Sequence, residues 1–442
     1  MNELTDLFER CASVLAGALS QRESGDDAGG MLATLDYQDG DEARAANRVA
    51  VLRAAARLRR LFQLVAPDAP GLVFFGGEAD PTLLGWRGSG HPAASLSGTG
   101  LSVREAFESC VGEGVEYLSQ HEIGDSRLDH GTVGAMARTL DPLARSSIVT
   151  LMRKVNIPSE RGIAWIAAHR LSDGATAYLP ADTCLRRSHE VRDFAAPFKL
   201  SAGCGAGVSV EAAALHGLCE LIERDAVALW WRGGRRGRAV AGESDAGRAA
   251  SDLLAKLRGD ERQRTSWLLD ITTDVGVPCV ASLSVGPDGR GFACGHAARP
   301  TLDAAARSAV FEMCQMELGQ AVIEAKRREG GEAALNEADR THLRRASLID
   351  AARCALLQPA DPPAPEAEGD APTLQAIVDR LVRMGIEPLA VDLTRVILGI
   401  PVVRVVAPGL QVEPSEIISD RLAQMIGRTG GGAAYTGGVA LL

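Results

Sequence analysis

Pairs of carboxylate side chains at a helical spacing are the residues of this sequence best suited to chemistry. Glu113 and Glu116 form one pair, and Glu220 and Glu223 form a second pair. Side chains three positions apart lie on the same face of a helix. Two carboxylates on one face can bind a cation together.

The two pairs belong to an internal repeat of the chain. A Ser or Thr stands eleven residues before the first Glu of each copy: Ser102 before Glu113, Ser209 before Glu220 and Thr301 before Glu312. The third copy is weaker, because Gln315 takes the place of the second carboxylate. Ser and Thr are good N-cap residues, and apolar residues recur behind them at helical spacing. The repeat therefore predicts three helices that begin at these residues.

Apolar neighbours surround the acidic pairs. Cys110 and Val115 lie beside the first pair, and Leu221 and Ile222 lie beside the second. Carboxylates that lose hydration together repel one another unless a cation compensates them. Magnesium meets this need, because it prefers hard oxygen ligands and commonly binds carboxylates together with nucleotide phosphate oxygens. The pattern therefore predicts a site for a magnesium–nucleotide complex.

The three helices would bring six oxygen-bearing side chains to one cleft: Glu113, Glu116, Glu220, Glu223, Glu312 and Gln315. Arg224 and Arg307 lie on the second and third helices and could contact phosphates directly. The alternative is that these are hydrated faces of surface helices with salt bridges, which is the usual explanation of a single pair. Three registered copies favour the shared site. The sequence has no Gly-Lys dipeptide, so a Walker-type phosphate loop is excluded, and HExxH is absent.

The second copy, with the residues around it, resembles the YcaO family, whose members bind ATP and magnesium through acidic helices. Residues 201–231 look like the most characteristic segment of that family. Residues 108–117 are similar to the family's other acidic helix, and residues 312–315 are similar to its third. The resemblance extends roughly from Gly90 to Leu422.

This resemblance implies ATP and Mg²⁺ as cofactors. It implies that four carboxylates surround magnesium and the phosphates: Glu113, Glu116, Glu220 and Glu223. It also implies that Arg224, Glu312 and Gln315 complete the ATP site. Two departures are Tyr117, where an Arg usually ends the first acidic motif, and Thr99, where many relatives have Lys. Arg307 or Arg104 would then supply phosphate contacts.

The reaction follows from the resemblance alone. Typical YcaO enzymes of peptide natural-product pathways drive attack of a Cys, Ser or Thr side chain on the preceding backbone amide, and phosphorylate the amide oxygen. That oxygen is a poor leaving group until it is phosphorylated, and magnesium offsets the developing charge. We therefore expect ATP-dependent cyclodehydration of a ribosomally made precursor peptide to thiazoline or oxazoline. Relatives that install thioamides with a TfuA-type partner or form amidines, and a non-catalytic scaffold, are the alternatives.

Strand-like and helix-like segments alternate along the chain, which predicts a mixed α/β (α+β) fold with the acidic helices packed on mixed sheets. We expect a helical N-terminal region at residues 1–89 and a YcaO catalytic domain at residues 90–442. A Pro, Ala and acidic loop is expected at about residues 356–372. The chain ends in a Gly-rich stretch from residue 430, without the Pro-x-Pro-x-Pro end of many azoline-forming relatives, and we expect a mobile tail there.

Two elements of the N-terminal region have recognisable patterns. Residues 42–62 are apolar at roughly helical spacing, with arginines on the remaining face, which predicts an amphipathic helix. That arginine face is alternatively a surface for an acidic peptide or partner. Gly71–Gly76 is a short apolar run between glycines, which predicts a buried strand.

Composition limits the class of protein and its partners. A net charge of −10 argues against nonspecific nucleic-acid binding, which depends on many basic residues. The nine cysteines contain no CxxC pair and are expected to be buried thiols. The sequence has no apolar run long enough to span a membrane and no export signal at its start, so we expect a cytoplasmic protein.

The expected partners are a precursor peptide and a separate leader-binding or ThiF-type protein. Nothing in the first ninety residues looks like a fused peptide-binding domain, so a second protein should deliver the peptide. A flavin dehydrogenase is a further possible partner. We expect a homo- or hetero-oligomer and neither nucleic acid nor membrane among the partners.

Overall fold

The computed structural model describes residues 42–88, 93–140, 142–259, 264–362, 371–415 and 417–441. The helices described are α1 (Glu42–Ala55), α2 (Val103–Ser119), α3 (Val133–Ala137), α4 (Pro142–Lys154), α5 (Val210–Trp231), α6 (Asp245–Arg258), α7 (Leu302–Gly330), α8 (Glu337–Leu348), α9 (Leu374–Arg383), α10 (Asp420–Thr429) and α11 (Ala433–Thr436). Within these residues, no helix is both long and apolar enough to cross a membrane.

The described strands are β1 (Arg60–Val65), β2 (Val73–Ala79), β3 (Ala94–Gly100), β4 (Asp129–Thr132), β5 (Gly162–Arg170), β6 (Thr176–Pro180), β7 (Cys204–Ala206), β8 (Arg238–Ala239), β9 (Thr265–Asp270), β10 (Cys279–Val285), β11 (Ala293–Ala298), β12 (Leu389–Asp392) and β13 (Val402–Val406). They form three antiparallel sheets with the orders β1-β2-β3, β11-β10-β9-β8 and β4-β5-β12-β13-β7, and β6 pairs with β5. The mixed α/β class is confirmed.

Each acidic helix follows an edge strand of a different sheet. β3 leads into α2, β7 leads into α5 and β11 leads into α7. The predicted N-caps are confirmed, because each hydroxyl accepts a hydrogen bond from a first-turn backbone N–H: Ser102 from Glu105 at 3.2 Å, Ser209 from Ala212 at 3.1 Å and Thr301 from Ala304 at 3.4 Å. The sequence repeat is therefore a repeated strand–helix unit.

A glycine in the strand brings each helix close. A Cβ there would lie within 2.5 Å of a helix carbonyl oxygen: 2.2 Å from Ala106 for Gly98, 2.5 Å from Ala213 for Gly205 and 2.4 Å from Ala309 for Gly295. Real Cβ atoms do not approach backbone oxygens so closely, since the contact is far inside the van der Waals distance. The absence of a side chain therefore sets the distance between strand and helix in all three units.

Large apolar side chains fill the space between the sheets and the helices. Phe75 of β2 packs edge-on against Phe107 of α2, with ring centroids 5.8 Å apart. Trp230 of α5 is fully buried, and its indole Nε1 donates to the Leu356 carbonyl oxygen at 2.8 Å. All eight described cysteines are buried and free, as the sequence predicted. Burial of this apolar surface is the main source of stability.

The N-terminal region differs from the sequence expectation. The helix predicted to reach Phe62 ends at Ala55, and Arg60–Val65 is a strand. Because β1 pairs with β2 and β2 pairs with β3, the region expected to be helical contributes two strands to a sheet that extends past residue 90. Local helical spacing was misleading here, since pairing with β2 overrides weak helix propensity. Residues 1–41 lie outside the described residues.

The predicted loop and tail also need correction. The loop expected from residue 356 begins later, because Leu356 and Leu357 form part of a short 3₁₀ helix and are fully buried. Its residues 363–370 lie outside the described part. The Gly-rich tail is packed: the Trp231 indole Nε1 donates to the Val439 carbonyl oxygen at 2.7 Å, and Leu441 is only 4% exposed. Glycine content predicted a mobile tail, whereas these two residues contact the rest of the chain, beginning with the end of α5.

The close strand–helix approach gives a stability prediction. Gly98→Ala should destabilise the chain by about 1–3 kcal/mol, because the new methyl group forces β3 and α2 apart. Gly162→Ala is the matched control, since that Cβ would meet nothing within 4 Å and Gly162 also lies in a strand. Denaturant midpoints of the two variants measure the effect. Equal midpoints would show that the glycine does not set the spacing.

Candidate nucleotide and metal site

A cavity of about 580 Å³ lies where α2, α5 and α7 converge. All eight residues predicted for the site line it: Glu113, Glu116, Glu220, Glu223, Arg224, Arg307, Glu312 and Gln315. Thr99 and Tyr117, which depart from the family pattern, also line it, whereas Arg104 does not. We call this space the acidic cavity. Its lining shows that the three acidic segments form one site and not three separate helix surfaces.

The first carboxylate of each copy accepts a backbone hydrogen bond from its own strand segment. The three bonds are Ser97 N–H to Glu113 Oε2 at 2.6 Å, Gly203 N–H to Glu220 Oε2 at 3.0 Å, and His296 N–H to Glu312 Oε2 at 2.7 Å. An edge strand leaves backbone N–H groups without a strand partner. Each glutamate therefore satisfies such a donor and is held in one orientation toward the cavity.

The second carboxylates are fixed differently. Glu116 accepts a hydrogen bond from the Ala206 backbone N–H at 2.6 Å, so the first copy is bonded to the strand of the second. Glu223 is nearly buried and lies 3.5 Å from an Arg224 guanidinium nitrogen. A second nitrogen of Arg224 donates to Glu220 at 3.1 Å. Arg224 thus neutralises part of the second acidic pair.

The other two polar groups predicted for the site are already engaged. Arg307 donates to Glu105 and stacks over the Phe311 ring at 4.7 Å, which places it at the cavity rim. Gln315 Nε2 donates to the Ser97 hydroxyl at 2.9 Å, and that hydroxyl donates to Glu113. Gln315 therefore supports the first carboxylate through Ser97, although it belongs to the third copy.

Burial and mutual repulsion favour the neutral forms of these acids. Loss of hydration raises the pKa of Glu113 and Glu116, and the charge of Glu220 raises both further. Burial also raises the pKa of Glu223, with Glu312 and Glu220 adding to the rise while Arg224 opposes it. The pKa of Glu312 is raised by burial as well. A bound cation would reverse these shifts, because it stabilises the charged carboxylates.

The donors fit magnesium. The lining carboxylates outnumber the arginines, and all the carboxylate donors are hard oxygens of the kind that Mg²⁺ prefers. In the described part of the chain, no group of three or more His, Cys, Asp or Glu side chains is arranged to hold a metal ion. Magnesium usually keeps several waters and binds through one or two carboxylates plus phosphate oxygens. The geometry therefore suits a metal that binds together with a nucleotide.

Sequence reasoning missed Arg299, which lines the cavity and forms no ion pair with the described residues. Its charge lowers the pKa of Glu116, Glu223 and Glu312 against the effect of burial. The repeat gave no signal for it, because glycines, Gly100 and Gly207, stand two residues before the other two N-caps.

His296 was also missed. It lines the cavity, is only 3% exposed, and neither ring nitrogen has a hydrogen-bond partner among the described residues. Burial, together with the charges of Arg224 and Arg345, lowers the pKa of His296 to about 3, so the imidazole is neutral. A single histidine without a motif gave no signal in the sequence.

The raised pKa values predict how stability depends on pH. A carboxyl whose pKa is higher in the folded chain than its ordinary value of 4.5 binds more protons when folded, so stability falls as pH rises above that value. Glu223→Gln should therefore stabilise the ligand-free chain, by at least about 1 kcal/mol at high pH and less at low pH.

Thermal unfolding between about pH 5 and about pH 9, without nucleotide or metal, measures this difference. Glu329→Gln is the control, because Glu329 is an exposed residue of α7 far along the helix from the cavity. A Glu223→Gln gain that does not grow with pH would contradict the proposed burial of charge.

Comparison with known proteins identifies the family. The sequence model of the YcaO family, described as YcaO cyclodehydratase, ATP- and Mg²⁺-binding, matches residues 97–411. A relative from Rhizobium leguminosarum bv. trifolii, named as an uncharacterized protein in the tfuA 3′ region, is 27% identical over 346 residues. That alignment covers 76% of this chain and 81% of the relative.

Solved structures share the fold. A heterocyclase in complex with substrate and cofactor has a TM-score of 0.67 at 22% identity, over 89% of this chain and 55% of that one. The chain thus spans about half the length of that heterocyclase. YcaO from Methanopyrus kandleri bound with AMPPCP and Mg²⁺ has a TM-score of 0.54 at 19% identity, over 84% of this chain and 90% of that one.

The E. coli microcin synthetase McbBCD complex contains a chain with a TM-score of 0.58 at 16% identity, over 79% of this chain and 87% of that one. At these identities the likeness shows the fold, and the family match carries the assignment. That match covers well over half of the sequence and includes all eight predicted site residues. The chain therefore belongs to the YcaO family, whose cofactors are ATP and Mg²⁺.

Proposed function

We propose that this chain is an ATP- and Mg²⁺-dependent enzyme that activates backbone amides of a ribosomally made precursor peptide. The product we propose first is a thiazoline or oxazoline, formed by cyclodehydration at Cys, Ser or Thr. The observation that carries this proposal is the acidic cavity, in which three repeated helices place six carboxylates around one space. A surplus of buried negative charge has a physical reason when a metal–nucleotide complex binds there.

The proposed Mg²⁺ ligands come from four carboxylates, with one or two of them binding each metal ion together with the phosphates: Glu113, Glu116, Glu220 and Glu223. When bound, Mg²⁺ and ATP together supply a phosphoryl group for the amide oxygen and the charge that offsets its transfer. Because Glu113 and Glu220 are already held by backbone N–H groups, they need little reorganisation to meet the metal. A preoriented carboxylate loses less conformational entropy on binding than a mobile one.

Arg224 and Arg299 are the proposed contacts of the phosphates. Both line the cavity, and guanidinium groups bind phosphate oxygens through paired hydrogen bonds. Arg299 compensates for the family Arg that Tyr117 replaces, since it makes no ion pair with the described residues. Glu312 and Gln315 complete the proposed nucleotide site, with Arg307 at its rim. The buried imidazole of His296 supplies an uncharged hydrogen-bonding group beside them.

Thioamide formation is the second candidate. The observation that favours it is the relative whose name places it in a tfuA 3′ region, since TfuA-type proteins are the partners of thioamide-forming YcaO enzymes. In both reactions a nucleophile adds to the amide carbonyl and the amide oxygen is phosphorylated so that it can leave, so the acidic cavity serves either one. They differ in the nucleophile, which is a side chain of the peptide in one case and an external sulfur donor in the other.

A partner protein is part of the proposal. The McbBCD relative is an assembly, and it has also been solved with the peptide pro-MccB17 bound. A flexible peptide loses conformational entropy when it reaches an active site, and a partner that holds its leader raises the effective concentration of the core segment. We therefore propose a separate leader-binding or ThiF-type protein for cyclodehydration, or a TfuA-type protein for thioamidation.

The nucleotide site is tested by Glu220→Gln. This variant keeps an oxygen for the Gly203 N–H but loses the charge, so the fold should persist while Mg²⁺-dependent ATP affinity falls at least about 100-fold. Titration calorimetry with ATP and Mg²⁺ measures the affinity, and Glu329→Gln serves as the control. Normal ATP binding by Glu220→Gln would refute the proposed site.

The reaction is tested by mass spectrometry of a precursor peptide that contains Cys and Ser. The peptide is incubated with the chain, ATP and Mg²⁺, with and without the candidate partner and a sulfide source. Loss of one water per modified residue supports cyclodehydration, and replacement of oxygen by sulfur supports thioamidation. No mass change and no ATP turnover under any of these conditions would favour a non-catalytic scaffold. Full activity of the isolated chain would refute partner dependence.

A further inference from the structure

A second cavity, of about 400 Å³, shares walls with the acidic cavity. On α5, Leu221 lines the second cavity while the neighbouring Glu220 lines the acidic one. On the segment before β7, Phe198 lines the second cavity and Ser201 lines the acidic one. We call this second space the Arg404 cavity. The Arg404 cavity therefore lies next to the acidic cavity, with α5 and the segment before β7 between the two.

Arg404, in the middle of β13, is the unusual residue of this cavity. It is only 2% exposed, and it pairs in register with Cys204 of β7 and Val391 of β12. Its Nη1 donates to the Leu200 carbonyl oxygen, but Nε has no hydrogen-bond partner in the described part of the chain. A buried guanidinium that lacks a carboxylate partner is costly, because it has lost hydration without gaining a counter-ion.

No carboxylate of the described residues forms an ion pair with Arg404. Glu220 attracts it electrostatically but belongs to the acidic cavity, where Gly203 and Arg224 bind its oxygens. Arg421, the other arginine of the Arg404 cavity, has its own partners: Asp225 at 2.9 Å and Asp274 at 2.6 Å. Asp420 also lines the cavity but forms no ion pair with Arg404 in the described part of the chain, so Arg404 remains the cation of this cavity that a ligand can satisfy.

The rest of the lining is largely apolar. Side chains from four separate segments contribute to it, and these include Leu143, Leu151, Phe198, Met384, Ile386 and Val412. Such a surface gains free energy by covering an apolar group, roughly in proportion to the area removed from water. A ligand that matches the cavity combines an apolar side chain with one negative charge.

We propose that the Arg404 cavity binds an apolar amino-acid residue accompanied by a carboxylate. The inference rests on the proposed function, in which that residue belongs to the precursor peptide. The carboxylate is either the peptide C-terminus or the side chain of a neighbouring Asp or Glu, and both present the same charge to the guanidinium. Binding there fixes the peptide beside the wall that separates the two cavities, which keeps a nearby amide close to the proposed nucleotide site.

Three small probes distinguish the sources of the carboxylate. N-acetylleucine has a C-terminal carboxylate, N-acetylaspartyl-leucinamide has a side-chain carboxylate, and N-acetylleucinamide has none. Binding to the full chain is measured by saturation-transfer NMR and calorimetry, without ATP or Mg²⁺. We expect at least one carboxylate probe to bind about ten-fold more tightly than the neutral amide, since charge-assisted contacts to Arg are strong. The tighter of the two identifies the source.

Two variants assign that preference to the cavity. Arg404→Met removes the charge and keeps most of the volume, so the carboxylate preference should disappear while apolar binding remains. Met384→Trp fills the cavity and leaves Arg404 in place, so binding of all three probes should weaken. Because this second variant changes a partly exposed residue at the end of α9, it also covers the case in which Arg404→Met does not fold.

Mg²⁺-ATP binding is also measured for each variant, so that a loss of binding in the Arg404 cavity can be distinguished from a loss of the proposed nucleotide site. Equal binding of the three probes to the wild-type chain overturns the inference, and so does probe binding that is as tight in Met384→Trp as in the wild-type chain. A chain that shows the preference but never modifies a peptide keeps the Arg404 site and fails only as the proposed enzyme.

Discussion

The interaction on which the site depends is the hydrogen bond between an edge-strand backbone N–H and the first glutamate of the following helix. It occurs three times, to Glu113, Glu220 and Glu312, with distances between 2.6 and 3.0 Å. A charged acceptor makes such a bond stronger than a neutral one. The bonds hold carboxylates together in a partly buried space where repulsion would otherwise disperse them. The glycines that draw strand and helix together make the bonds possible.

The free chain therefore carries an electrostatic strain at its centre. Burial raises the pKa of four glutamates of the acidic cavity: Glu113, Glu116, Glu223 and Glu312. Arg224 and Arg299 compensate only part of the negative charge of the cavity. Functional sites commonly retain groups that reduce stability, because the same groups bind the ligand. The chain belongs to the YcaO family, whose cofactors are ATP and Mg²⁺, and a bound Mg²⁺ would relieve the repulsion among these carboxylates.

Much of the site could be predicted because its signals are local. Each N-cap and its glutamate pair lie within one helix, so a fixed spacing in the sequence becomes a fixed geometry. Arg299 lies in a loop where the other copies have glycine, and His296 becomes significant only when β11 is buried. The strand Arg60–Val65 was mistaken for helix because it continues the helical spacing of the residues before it, and that local pattern does not show the pairing with β2. The packing of the tail on Trp231 likewise depends on contacts some two hundred positions away.

Glu116 of α2 accepts a hydrogen bond from the backbone N–H of Ala206 in β7. The strand that precedes α2, β3, belongs to a different sheet from β7. The cavity is thus assembled only when three sheets from separate stretches of the chain have docked. Contacts between distant segments carry a cost in loop-closure entropy, which slows their formation. Binding in the cavity therefore requires that all three sheets have docked. A ligand bound there stabilises the docked state in proportion to the logarithm of its concentration and leaves partly folded chains unaffected.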